Sequence, residues 1–324
     1  MPLSLLLLAA GLALLLAGGE ALVRGAVAAA ERLGVPALLI GLTVVAFGTS
    51  TPELVVSLSA AWRGNPDLTF GNVVGSNTAN LTLLLGLTAL VRPVAVERRV
   101  VRREVPLLLL TAAAAVALAF DGWLGDAGAA DAFGRGDGLV LLLFFGLYLY
   151  GLVGDAAGGA AAGESEPPAS GAGPGSAPAW LAAALVVGGI LGLVAGGELA
   201  VRNAGDLARS AGVPEVVIAL TVVAVGTSLP ELVTCAAAAR RGQSDLAIGN
   251  LVGSNLYNLT FVLGLTASIS PVPVPGGGRA DLLVMLLASA LLLPLALTGK
   301  RVSRPEGVFL LLLWGGYTLW RVAA

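Results

Sequence analysis

Two acidic residues stand inside apolar stretches, each directly after a proline: Glu53 in AFGTSTPEL at 46–54 and Glu231 in AVGTSLPEL at 224–232. Proline has no N–H, and its ring collides with the carbonyl four residues earlier, so Pro52 frees the carbonyl of Gly48 and Pro230 that of Gly226. Carbonyls near Ala46–Thr49 and Ala224–Thr227 can then leave the helix ladder. Irregular backbone at membrane depth survives only where it is buried in protein or lines a hydrated cavity. Thr51 is expected to cap a second half-helix with Pro52 at its first position; Leu229 replaces that threonine in the second copy, where Ser228 takes the capping role. Both glutamates fall in the first turn, where the helix dipole favours a carboxylate. A charge at this depth needs a counter-charge or a polar cavity. No lysine or arginine lies in the neighbouring span cores, so the expected partner is a cation drawn from water. Carboxylate, carbonyl and hydroxyl oxygens suit hard ions such as calcium and sodium.

The following segment supplies more oxygens. GNVVGSNTAN at 71–80 returns as GNLVGSNLYN at 249–258. Spacing by four places Asn72, Ser76 and Asn80 on one helix face, and Asn250, Ser254 and Asn258 on its counterpart. Gly71 with Gly75, and Gly249 with Gly253, are small-xxx-small pairs that permit close helix contact. Asn77 and Asn255 point about 100° off the stripe and read as interhelical hydrogen bonders. Glu20 with Arg24, and Glu198 with Arg202, read as ion pairs near helix ends. Cys235 aligns with Ser57 and reads as a small packing residue.

These residues need elements to hold them. Of 324 residues 57% are hydrophobic and 12% charged, with a mean hydropathy of +0.91. Soluble domains carry about a quarter charged residues, so the chain is read as all-α and polytopic in the membrane. Shifted by 178 residues, it matches itself: 18–41 against 196–219 at 11 of 24 positions, and 42–93 against 220–271 at 33 of 52 without a gap. Spans are expected near 3–23, 36–61, 68–91, 106–120 and 138–153, then 180–201, 214–239, 246–270, 281–298 and 306–321. The N-terminal run lacks the basic flank of a signal peptide and is read as the first span. Five spans per half is odd, so the halves are inverted repeats, ten helices in all. Residues 1–153 form the first repeat, 154–179 a flexible linker rich in Gly, Pro, Ala and Ser, and 180–324 the second repeat. Twelve of the 18 basic residues fall on one side, among them Arg98, Arg99, Arg102 and Arg103, and six on the other. The richer side is expected to be cytoplasmic, with the linker, and both termini outside.

GTSTPEL with GNVVGSNTAN, and GTSLPEL with GNLVGSNLYN, resemble the paired alpha repeats of sodium/calcium exchangers, in the calcium:cation antiporter superfamily. The likeness covers both repeats and is closest to short prokaryotic exchangers with ten helices. It implies antiport of several Na+ for one Ca2+ by alternating access, in the plasma (inner) membrane of a prokaryote. It implies that Glu53 and Glu231 are shared ligands of both ions. Thr49 and Thr227 would give calcium their carbonyls and sodium a hydroxyl or backbone oxygen. Ala46 and Ala224 would give sodium carbonyls, with hydroxyls from Ser50, Ser228, Ser76 and Ser254. Asn80 and Asn258 would line the central site. Some relatives carry aspartate at the position of Asn258, so a third acidic ligand and any potassium dependence tied to it are not expected here. The family slides its first and sixth helices past the core, and the glycine-rich stretches at 10–19 and 188–197 suit such sliding.

Three other functions share these features. Proton-coupled export of calcium or another divalent cation would use the same carboxylates as proton carriers. A cation channel would need a continuous hydrated path, which an enclosed acidic site does not favour. An intramembrane enzyme is disfavoured by the lack of any histidine or nucleophile elbow. No cofactor, nucleic acid or protein partner is implied; the expected partners are the lipid bilayer and the transported Ca2+ and Na+.

Overall fold

A computed structural model describes residues 2–64, 66–120, 131–162, 178–211, 224–297 and 299–323. In chain order the helices are α1 Pro2–Leu33, α2 Ala37–Ile40, α3 Ala46–Thr49, α4 Thr51–Trp62, α5 Pro66–Ala79, α6 Leu85–Val91, α7 Val105–Ala119 and α8 Arg135–Ala162. There follow α9 Ala179–Ser210, α10 Ala224–Gly226, α11 Leu229–Arg240, α12 Ser244–Tyr257, α13 Leu263–Ile269, α14 Gly278–Leu297 and α15 Arg304–Ala323. Wider π-helical turns span Gly41–Val45, Asn80–Leu84, Val100–Glu104 and Asn258–Val262. Among the described residues six helices are long and apolar enough to cross a membrane, and the bent pair Ala37–Thr49 with Thr51–Trp62 makes a seventh. Residues 212–223, where the seventh expected span begins, lie outside the described residues.

Two helices outrun their apolar stretches. α1 continues past residue 23 to Leu33 through GAVAAAERL, and α9 continues past 201 to Ser210. Alanine, leucine, glutamate and arginine are strong helix formers, so the helix persists after the hydropathy falls. α8 runs on to Ala162, into the segment read as a linker. Residues 163–177 lie outside the described residues.

The chain folds into two compact units, each drawing on both sequence halves: residues 1–51 with 150–250, and residues 52–149 with 251–324. In the first unit, α1 and α9 run antiparallel along a seam of glycines. A β-carbon at Gly11 would lie 2.8 Å from the amide nitrogen of Ala200, at Gly18 2.8 Å from that of Leu193, and at Gly25 2.7 Å from that of Val186. Only hydrogen fits at these points, so the backbones touch along the small-residue row. Gly41 and Gly249 meet in the same way, each facing the other's α-carbon at 3.2 Å. Gly71 and Gly75 face no atom within 4 Å among the described residues.

The second unit shows the repeat directly. Strand β1, Val94–Ala95, pairs antiparallel with β4, Arg301–Val302; β2, Ala132–Phe133, pairs with β3, Val272–Pro273. The loop after the third span of each half is thus zipped to the loop before the last span of the other half. The helices obey the same exchange. A β-carbon at Gly86 would come within 2.8 Å of the carbonyl oxygen of Gly307, and one at Gly264 within 3.1 Å of that of Gly138. Gly86 and Gly264 are repeat equivalents, so each third span packs on the fifth span of the opposite half.

Candidate ion-binding site

The break in the second span falls at Ser50, with φ −84° and ψ 8°. The copy breaks at Ser228 with φ −88° and ψ 6°. Both serines occupy the sparsely populated bridge region, where active-site residues are often found. The prolines two residues on lie at the start of a new helix, and the two parts of the second span meet at 43°. Gly48 and Gly226 let these breaks lie against α9, where their missing β-carbons make room for Ile190 and Val201. The expected threonine cap is not made. Thr51 lies inside α4 and its hydroxyl donates back to the carbonyl of Phe47 at 3.0 Å, satisfying an acceptor of the preceding turn. Ser228 stands at the cap position of α11, but its side chain makes no capping bond.

Glu53 and Glu231 are fully buried. In the first unit the Ser50 hydroxyl donates to Oε1 of Glu231 at 2.9 Å. Residues 181 apart in sequence, one from each copy of the motif, thus share a hydrogen bond. Oε2 of Glu231 has no hydrogen-bond partner among the described residues. The Thr49 hydroxyl lies 3.1 Å from Oδ1 of Asn250 and 3.3 Å from the Ala46 carbonyl, so its one proton is shared between them. The Ala46 carbonyl also accepts from the Ser50 N–H at 3.0 Å. Turning the Thr49 proton wholly to Asn250 leaves the Ala46 carbonyl with one accepted bond and a second lone pair. Ser228 is buried and Thr227 is half-buried; Ala224 opens the short helix before them.

In the second unit Asn72 donates through Nδ2 to the backbone carbonyl of Glu53 and to the Ser57 hydroxyl, both at 2.9 Å. Its repeat equivalent Asn250 donates to the sulfur of Cys235, which replaces Ser57, at 3.2 Å. The first asparagine of each stripe is therefore a clamp, tying its helix to the half-helix that carries the glutamate. The last asparagine differs. Asn80 and Asn258 are buried, and neither the oxygen nor the nitrogen of either amide has a hydrogen-bond partner among the described residues. Ser76 and Ser254 are buried one turn earlier, and the Ser254 hydroxyl likewise has no partner among those residues. Buried polar atoms are almost always paired, so such a group calls for an explanation. The π turn that begins at Asn258 packs against α5, which ends at Ala79 beside Asn80.

Sequence reasoning missed the π turns that open at Asn80 and Asn258. A readable signal lies in the shared Asn-Leu-Thr. Thr82 and Thr260 donate to the carbonyls four residues back, Thr78 and Leu256, each at 2.6 Å. A hydroxyl competing for that carbonyl loosens the ladder, and π turns are frequent at functional sites. Away from these motifs, Glu20 does pair with Arg24 at 3.0 Å and also takes Nε of Arg241 at 3.0 Å. Glu198 and Arg202, their repeat equivalents, make no ion pair among the described residues.

The family model described as sodium/calcium exchanger protein matches residues 3–154 and 181–323. The chain belongs to that family. It is a membrane exchanger, not an enzyme. It is 38% identical to inner membrane protein YrbG of Escherichia coli K12, over 99% of this chain and 96% of the relative. It is 32% identical to the sodium/calcium exchanger MaX1 of Methanosarcina acetivorans, over 95% of each. The solved structure of the sodium-calcium exchanger NCX_Mj superposes with a TM-score of 0.82 at 28% identity, covering 99% of this chain and 98% of that one.

Proposed function

We propose that this exchanger moves calcium against sodium, several Na+ for one Ca2+, with Glu53 and Glu231 as the carboxylates that take both ions in turn. The observation that carries the reading is the hydrogen bond from Ser50 to fully buried Glu231, which unites the two motif copies around one carboxylate. A buried carboxylate whose second oxygen has no hydrogen-bond partner among the described residues presents negative charge to a cation. Thr49, Thr227, Ser50, Ser228, Ser76 and Ser254 add hydroxyl or carbonyl oxygens, Ala46 and Ala224 add carbonyls, and Asn80 and Asn258 add amide oxygens. This all-oxygen set suits hard ions. An ion of either kind neutralises the carboxylates, and the unneutralised site resists passage through the membrane interior, so the protein switches only when loaded. We place it in the inner membrane with both termini outside and residues 154–179 in the cytoplasm. Its relatives named for sodium/calcium exchange support sodium over protons as the coupling ion.

The test is calcium uptake into sodium-loaded vesicles diluted into sodium-free buffer. Uptake should require internal sodium and should fall to background in Glu53→Gln and in Glu231→Gln. Uptake driven by a pH gradient alone would move the protein to the proton-coupled reading.

A further inference from the structure

The β1–β4 ribbon joins two loops that lie some 200 residues apart, and it gathers charge in doing so. Val94 faces Val302 and Ala95 faces Arg301, and the Val96 N–H donates to the carbonyl of Lys300 at 2.8 Å. Around the ribbon, Arg92, Arg98, Arg102, Lys300, Arg301 and Arg304 are all exposed. Arg304 donates to the Leu90 carbonyl at the end of α6, at 3.2 Å. The other five make no ion pair among the described residues. The acids nearby do not neutralise them. Glu104 is buried, Glu306 accepts from the backbone and hydroxyl of Ser303, and Glu97 is the one exposed acid. Lys300, the only lysine in the chain, sits at φ 54°, a backbone region that disfavours any residue with a β-carbon. A glycine would adopt this conformation at lower cost.

The opposite ribbon is an internal control. β2 and β3 have the same construction by the repeat, yet their surroundings are balanced. Arg279 pairs with Asp131, and Asp137, beside Arg135, accepts from the Gly134 N–H. The fold therefore does not need six cations to close a ribbon. The β1–β4 ribbon lies just beyond the ends of α6 and α14, each closing a stretch long and apolar enough to cross a membrane, and we place its side chains at headgroup depth on that ground. Exposed cations at that depth are attracted to anionic lipid.

We propose that the β1–β4 ribbon is a binding surface for the phosphate headgroups of anionic phospholipids in the adjoining leaflet. This does not depend on which ions the protein exchanges. The purified chain in nanodiscs tests it, since both faces are then reachable and insertion orientation plays no part. Nanodiscs containing equal phosphatidylglycerol and phosphatidylcholine would be examined by native mass spectrometry for retained lipid. Wild type should retain phosphatidylglycerol several-fold over phosphatidylcholine, and its unfolding temperature should rise with the phosphatidylglycerol fraction. The triple variant Arg98→Gln, Arg102→Gln, Arg301→Gln should lose both effects while keeping the wild-type unfolding temperature in pure phosphatidylcholine. Arg135→Gln, at the opposite ribbon, should retain both. Equal lipid preference in wild type and triple variant would overturn the proposal. So would a stabilisation reproduced by inorganic phosphate in pure phosphatidylcholine, which would make the ribbon a site for soluble phosphate.

Discussion

At the scale of single residues, the two asparagine stripes divide their labour. Asn72 has its amide donors spent on the Glu53 carbonyl and Ser57, whereas the Asn80 amide has no such partner among the described residues. Removing a half-buried, hydrogen-bonded amide should cost about 0.5–1.5 kcal/mol. Removing an unpaired one should cost stability little or nothing. Asn72→Ala should therefore lower the unfolding temperature in ion-free detergent, while Asn80→Ala and Asn258→Ala leave it unchanged or raise it. The stabilisation that added calcium gives should shrink in the latter two and persist in Asn72→Ala. Equal destabilisation by all three would remove the distinction. The glutamates, serines and asparagines were legible because polar residues are expensive at membrane depth and these recur as a set. Which asparagine clamps and which stands unpaired was not legible, since both share one helix face and differ only in what the neighbouring helix offers.

At the scale of elements, the close approach of α1 and α9 depends on glycines that read alike in sequence. Gly188 and Gly189 are adjacent, but a β-carbon at Gly189 would lie 2.6 Å from the amide nitrogen of Leu22, while one at Gly188 would meet no atom within 4 Å among the described residues. Overpacking a tight contact costs about 1–3 kcal/mol. An unobstructed helical Gly→Ala gains about 0.5–1 kcal/mol. Gly189→Ala should lower the unfolding temperature and the yield of folded protein, and Gly188→Ala should hold or improve both. Thermal denaturation of the two variants in detergent decides the point, and equal behaviour would contradict the seam. Pro52 and Pro230 made the breaks at Ser50 and Ser228 legible. The caps were not, because a threonine hydroxyl can serve the preceding carbonyl as readily as the following N–H. The π turns escaped for a different reason: 81–91 and 259–269 are apolar nearly all round, so the change of phase that one extra residue brings leaves no mark on the pattern.

At the scale of the molecule, the repeat carried most of the reading. A constant offset of 178 residues and an odd number of spans per half imply inversion. The exchange of ribbons and end helices between halves, β1 with β4 and Gly86 against Gly307, fits that symmetry. Sequence alone could not reveal it, since two-residue strands have no periodicity to detect. Nor does sequence show that the folded units cut across the repeats, because compactness depends on packing between distant segments. The proposed exchange makes the whole protein a coupled machine in which one cation leaves as the other enters. The most direct test is to load vesicles with labelled sodium, add calcium outside, and record both ions together. Sodium should be released only when calcium is added, in proportion to calcium entry, and neither flux should occur in Glu231→Gln. Sodium release without external calcium, or calcium entry without sodium release, would contradict exchange through the paired glutamates.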